Sequence, residues 1–133
     1  MTSQGTLNGI AGVHLVAAEL SLRGYSVAIT ARNTPGIDLL ATSPRTGKTY
    51  SVQVKTNAQE RIPHFWLLGS HPVRPRADLF YVFVNVRRPP KFPEFYVVPS
   101  VIVKRYSRKR RNRWRSFYRE KCEKTLYRWS RLR

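Results

Sequence analysis

From about Leu7 to Arg23, apolar residues recur at three- and four-residue steps. Ile10, Val13, Val16, Ala17 and Leu20 fall on one side of a 3.6-residue helix, with Leu15 and Leu22 on a second. The spacing predicts a helix buried from two directions. Gly24 closes it, a residue free to adopt the positive φ that helix C-termini favour. Beyond it the pattern changes to strands: Tyr25–Thr30, Ile37–Thr42 and Thr49–Thr56. Arg32-Asn33-Thr34-Pro35-Gly36 reads as a loop, and Ser43–Lys48 is short enough to join the second and third strands as a β-hairpin. Downstream, Phe65–Leu68 predicts a short strand. Leu79–Val86 and Glu94–Val98, rich in Val, Phe and Tyr, predict two more, and Pro99-Ser100 opens a second helix. This order predicts an α/β sandwich, one mixed β-sheet flanked by helices.

The hairpin is where candidate chemistry gathers. Side chains alternate along a strand, so Gln53 and Lys55 share one face and Val52 and Val54 the other. With the turn at Thr46-Gly47, Asp38 falls opposite Lys55 and Leu40 opposite Gln53. Asp38, Gln53 and Lys55 then share a face. A hard cation such as Mg²⁺ takes oxygen ligands; Asp38, the Gln53 carboxamide and a nearby main-chain carbonyl offer three. Lys55 would steady a water or a developing charge. The pattern alone also fits a hairpin with a solvated polar face and no chemistry.

Charge narrows the choice of partner. Lys and Arg total 25 against 7 Asp and Glu, a formal net charge of +18 over 133 residues, which points to phosphate polyanions. That length suits one domain, and 41% hydrophobic residues suffice for a core, so the chain is not disordered throughout. The charge is concentrated at one end: Lys104–Arg133 holds 14 basic and 2 acidic residues. Within it Trp114, Phe117, Tyr118, Cys122, Leu126 and Trp129 recur at helical steps, which predicts a basic helical C-terminal extension. Such a helix either packs on the body or serves as a DNA-contact arm. Residues 1–103 therefore read as the body and 104–133 as the extension. Arg108, Lys109, Arg110, Arg111, Arg113 and Arg115 are the candidate nucleic-acid contacts, giving affinity without sequence specificity.

Other signals carry less. The lone Cys122 excludes an internal disulfide and fits a reducing compartment. With no apolar run of about 18 residues and no signal-peptide pattern, the chain reads as cytoplasmic without a membrane span. Binding of the basic helix to a membrane surface is a more distant reading. Three histidines and one cysteine lack zinc-ligand spacing, and Thr46-Gly47-Lys48-Thr49 lacks the first glycine of a phosphate-binding loop. Trp66 reads as a core aromatic rather than a base-stacking one.

Asp38 followed by Gln53-Val54-Lys55 resembles the signature of the PD-(D/E)XK nuclease superfamily, in its variant with Gln for the second acid. The layout also matches: helix, strand, then the Asp strand hairpinned to the Lys strand. Gly9–Thr56 is similar to the corresponding region of Holliday-junction resolvases and small bacterial relatives. The likeness covers the first 56 residues well and the strands up to Ser100 loosely. It implies a restriction-endonuclease-like fold and a metal-dependent endonuclease acting on DNA, including branched or single-stranded forms. Asp38, Gln53 and the Val54 carbonyl would bind Mg²⁺ or Mn²⁺, with Lys55 as catalytic ammonium and a homodimer as the working form. Members often carry a glutamate early in the first helix, and here that position is Val13. Glu19, the helix's one acid, lies about 120° away and is a secondary candidate. The alternative is a non-catalytic nucleic-acid-binding protein that keeps the fold.

Overall fold

Ser3 starts the first helix by accepting the Thr6 amide on its Oγ. From there α1 runs over Gln4–Leu22, in a computed structural model that describes residues 2–31, 36–111 and 114–133. Val16 and Leu20 are fully buried, with Val13, Leu15 and Ala17 packed beside them. Gly24 follows the C-cap at φ +89°, the left-handed conformation expected there.

The strands are β1 (Ser26–Ile29), β2 (Leu39–Thr42), β3 (Thr49–Asn57), β4 (Phe65–Gly69), β5 (Leu79–Asn85) and β6 (Glu94–Pro99). Helix α2 (Ser100–Tyr106) follows directly. Each overlaps the segment its pattern predicts. Five strands form one sheet in the order β1-β2-β3-β5-β6, antiparallel except for the parallel β3–β5 pair. A parallel pair needs a long crossover, and β4 lies within it.

Strand alternation divides the core in two. Leu39, Val52, Val82 and Val97 face α1 on one side of the sheet. Tyr81, Phe83, Tyr96 and Val98 face the other way, towards Trp66 of β4 and Val103 of α2. Trp66 is a core residue, its indole N–H donating to the Val84 carbonyl at 3.0 Å.

The extension is not the expected helix. It forms β7 (Arg108–Lys109) and β8 (Arg115–Tyr118), which join β4 in a second sheet of order β4-β8-β7, followed by three short 3₁₀ turns. The reason lies in where its apolar residues go. Phe117 and Cys122 fill the core beneath β4, whereas Trp129 and Leu132 fill the core on the α1 side. No single straight helix can serve both faces of a sheet. The chain instead crosses at the β6 edge, where the Tyr127 amide donates to the Phe95 carbonyl at 2.7 Å. The boundary expected at 103/104 falls inside α2.

Cys122 is 1% exposed, and burial pushes its thiol up to about 12, so it is a packing residue rather than a nucleophile. One close approach fixes α1 over β3. Gly12 is buried, and a Cβ there would come within 1.8 Å of Thr56 Oγ1. Gly12→Ala should therefore destabilise the protein by about 1–3 kcal/mol. Thr56→Ala in the same chain should recover part of the loss, because it removes Oγ1 while the Cβ still crowds. Urea unfolding midpoints of the single and double variants check this.

Candidate functional site

β3 carries two of the three hairpin side chains, and its pairing with β2 decides where the third falls. Leu39 stands opposite Val52 and Leu40 opposite Ser51. Leu40 is thus not opposite Gln53, and continuing this register places Asp38 across from Gln53 rather than Lys55. The turn is centred one residue earlier than expected. Ser43 N donates to Lys48 O at 2.8 Å and Gly47 N to Ser43 O at 2.9 Å, with Gly47 at φ +73°. A pairing shift of two residues leaves every side chain on its face. Asp38, Gln53 and Lys55 still converge.

Asp38 sits just before β2 and is held from both sides. Its amide donates to Val52 O at 2.8 Å, and its carbonyl accepts from Thr30 N at 3.0 Å. Its Oδ2 accepts the Val54 N–H at 2.7 Å, replacing a strand partner where β2 has ended. A strand residue points its N–H and C=O to the same side, so the Val54 carbonyl faces the side occupied by Asp38. The Lys55 ammonium donates to the Leu68 carbonyl of β4 at 3.3 Å, which ties the second sheet to the site. Asp38, Gln53, Val54 and Lys55 line one cleft of about 410 Å³, together with Gly9 and Val13 of α1.

Two features of this cleft bear on its chemistry. The first is Gln53 Oε1, which is buried and has no hydrogen-bond donor among the described residues. An unpaired buried acceptor is costly and asks for a ligand. The second is the state of the charged pair. Burial raises the Asp38 carboxyl above its ordinary range, against the opposing pull of the Val54 N–H and Lys55. Burial likewise lowers the Lys55 ammonium, against the opposing pull of Asp38. Both groups are largely withdrawn from water, which disfavours the charged form of each.

Glu19 is not in the cleft. It pairs with Arg23 one turn on, towards the other end of α1. Val13 occupies the cleft wall as an apolar residue. Among the described residues, no cluster of three His, Cys, Asp or Glu side chains forms.

Of the basic candidates, Arg108 and Lys109 are exposed on β7, Arg110 and Arg111 are exposed in the turn after it, and Arg115 is half-buried on β8. Arg113 lies outside the described residues. The outer face of the second sheet adds aromatic residues that sequence reading missed. Phe65 and Tyr118 lie 5.5 Å apart, with the Arg110 guanidinium 4.6 Å from the Phe65 ring and Arg108 5.3 Å from the Tyr118 ring. Leu67, 45% exposed, extends the patch. The signal that pairs Phe65 with Tyr118 is the β4–β8 register, which no local pattern reveals.

No protein-family model matches the sequence, and no curated protein matches it either. In three dimensions the chain is similar to a bacterial homing endonuclease, I-Ssp6803I. The TM-score is 0.51 at 17% sequence identity, covering 77% of this chain and 69% of that one. The fold is nuclease-like. At that identity the likeness concerns architecture, a mixed five-stranded sheet with two helices. No helix among the described residues is long and apolar enough to cross a membrane.

Proposed function

We propose that the protein is a metal-dependent endonuclease of the PD-(D/E)XK type, hydrolysing DNA phosphodiester bonds in the cleft beside α1. One observation carries this reading: a carboxylate, a buried carboxamide oxygen with no donor among the described residues, and a desolvated ammonium line the same cleft. Asp38, Gln53 Oε1 and the Val54 carbonyl would hold Mg²⁺ or Mn²⁺. The donor set suits a hard cation, and the orphaned Gln53 oxygen is the acceptor such a cation would satisfy. Bound there, the metal supplies Lewis-acid chemistry on the phosphate and a lowered pKa for water.

The remaining roles belong to the chain. Lys55, anchored on Leu68 O, meets the negative charge that develops on the phosphate. Asp38 spends one oxygen on the Val54 N–H, which fixes its orientation and leaves the other for the cleft. Val13 presents an apolar wall that limits water. The arginines of the second sheet take flanking phosphates of DNA, duplex, branched or single-stranded. A homodimer would place two such clefts on one substrate.

A second reading has its own support. Val13 and the single carboxylate leave fewer charges for a metal than a site with two or three acids, and this favours a nucleic-acid-binding protein that keeps the fold without cleavage. Gln53→Glu separates the two. In an enzyme, the added carboxylate should lower the Mg²⁺ concentration for half-maximal cleavage several-fold. An unchanged Mg²⁺ dependence in an active protein would remove Gln53 from the metal site.

A further inference from the structure

The other end of α1 holds a second cavity, of about 360 Å³, walled by Arg23, Arg45, Arg133, Tyr25, Tyr127 and Trp129. The nearest lining residues along α1, His14 and Arg23, stand nine residues apart, about 13.5 Å at 1.5 Å per residue, and the two cavities share no lining residue. We propose that it binds a phosphate group, carried by a nucleotide or by a nucleic acid.

The case rests on which donors and acceptors remain unpaired. Three guanidiniums line the cavity, none of the described lining side chains is acidic, and the Arg133 main-chain oxygen is taken by the Tyr50 hydroxyl. Arg23 is partly compensated, because it pairs with Glu19 and lies 5.2 Å from the centre of the Trp129 ring. Arg45 and Arg133 have no carboxylate partner among the described residues. Among the described residues, Arg133 donates its Nε–H to the Ser130 carbonyl at 3.1 Å. The phenols have already committed their protons: Tyr25 donates to Leu132 O, and Tyr127 to Pro93 O at 2.9 Å.

Trp129 Nε1 adds an unpaired donor. Trp129 is 4% exposed, and its indole N–H has no acceptor among the described residues. Trp66, the comparable buried indole, does have one. Trp129 lines the cavity together with Arg45 and Arg133, and a phosphate brings acceptors with negative charge to such a set of donors. Tyr127 adds a further sign. It is a bulky residue at φ +56°, held there by its amide on Phe95 O and its hydroxyl on Pro93 O. Left-handed backbone at such a residue is a strained choice. It sets a 46% exposed ring at the cavity, where a base can lie against it.

The proposal is independent of whether the α1 cleft cleaves DNA. Nitrogen-15 spectra resolve the tryptophan indole N–H signals. Inorganic phosphate, a 5′-mononucleotide and a 5′-phosphorylated oligonucleotide would each be titrated against chloride at constant ionic strength. The Trp129 indole signal should move saturably downfield while that of Trp66 stays. Arg45→Glu, in the exposed β2–β3 loop, should raise the half-saturation concentration at least tenfold with the rest of the spectrum unchanged. Arg61→Glu, at an exposed position outside the cavity lining, should leave it as in the wild type. The titration should be the same in Asp38→Asn protein. Tighter binding of the mononucleotide than of inorganic phosphate assigns the site to soluble nucleotides, and tightest binding of the oligonucleotide assigns it to nucleic acid. No saturable movement with any of the three, or an equal midpoint in Arg45→Glu, would overturn the proposal.

Discussion

Replacing Lys55 with methionine should reduce DNA cleavage by at least about a hundredfold, the loss typical when one stabilising donor is removed from a transition state. The variant should be as stable as the wild type or more so. Buried charges at functional sites commonly trade stability for activity. The folded protein holds the Lys55 ammonium below its ordinary value of 10.5, chiefly through burial. Charged Lys55 therefore costs stability below its folded value, and stability rises as pH climbs from that value to 10.5. Methionine keeps the length and apolar packing of the stem without the charge. Asp38 shows the mirror image. Its carboxyl is raised from 3.8, again chiefly by burial, so the native state holds its proton longer than the unfolded chain. Stability falls as pH climbs from 3.8 through the folded value, and the cost persists above it. In Asp38→Asn that fall should be missing, with cleavage lost as well. Urea midpoints measured across pH for the three proteins test both signs. A marked loss of stability in either variant would mean that the pair serves the fold rather than a reaction.

A second large effect is expected on DNA affinity. The basic segment cannot simply be removed, because Phe117, Cys122, Trp129 and Leu132 fill both cores. Its charge has to be changed in place. Changing Arg108, Arg110 and Arg111 together to glutamine should lower the slope of log K against log salt by about 2.7 for duplex DNA, at about 0.9 per phosphate contact. Loss of the two arginine–aromatic contacts adds little to stability at this exposed face. Binding at a series of salt concentrations gives the slope. If the slope in a folded triple variant equals that of the wild type, this face of the second sheet does not meet the phosphates.

What the sequence revealed and what it concealed divide along a physical line. Elements with one clear period were readable: the α1 stripe through Val16 and Leu20, the Val- and Phe-rich β5, and the alternation in β3 that sets Gln53 and Lys55 on one face. The face survived a wrong turn position because the resulting shift was even. Two things depended on long-range pairing and could not be read. The step from Phe117 to Cys122 to Trp129 looks helical, yet Phe117 and Cys122 answer to one core and Trp129 to the other, and tertiary contacts override local period. The orphaned Gln53 oxygen and the Leu68 anchor of Lys55 likewise exist only once β2, β3 and β4 are assembled.

The most direct test of the central claim is a cleavage assay on supercoiled, single-stranded and branched DNA, with Mg²⁺, with Mn²⁺ and with chelator, comparing wild type and Asp38→Asn prepared identically. The account predicts metal-dependent cleavage of at least one substrate by the wild type and none by Asp38→Asn, with DNA binding retained by both. Equal cleavage by the two proteins, or binding by both with no cleavage of any substrate under either metal, would contradict it.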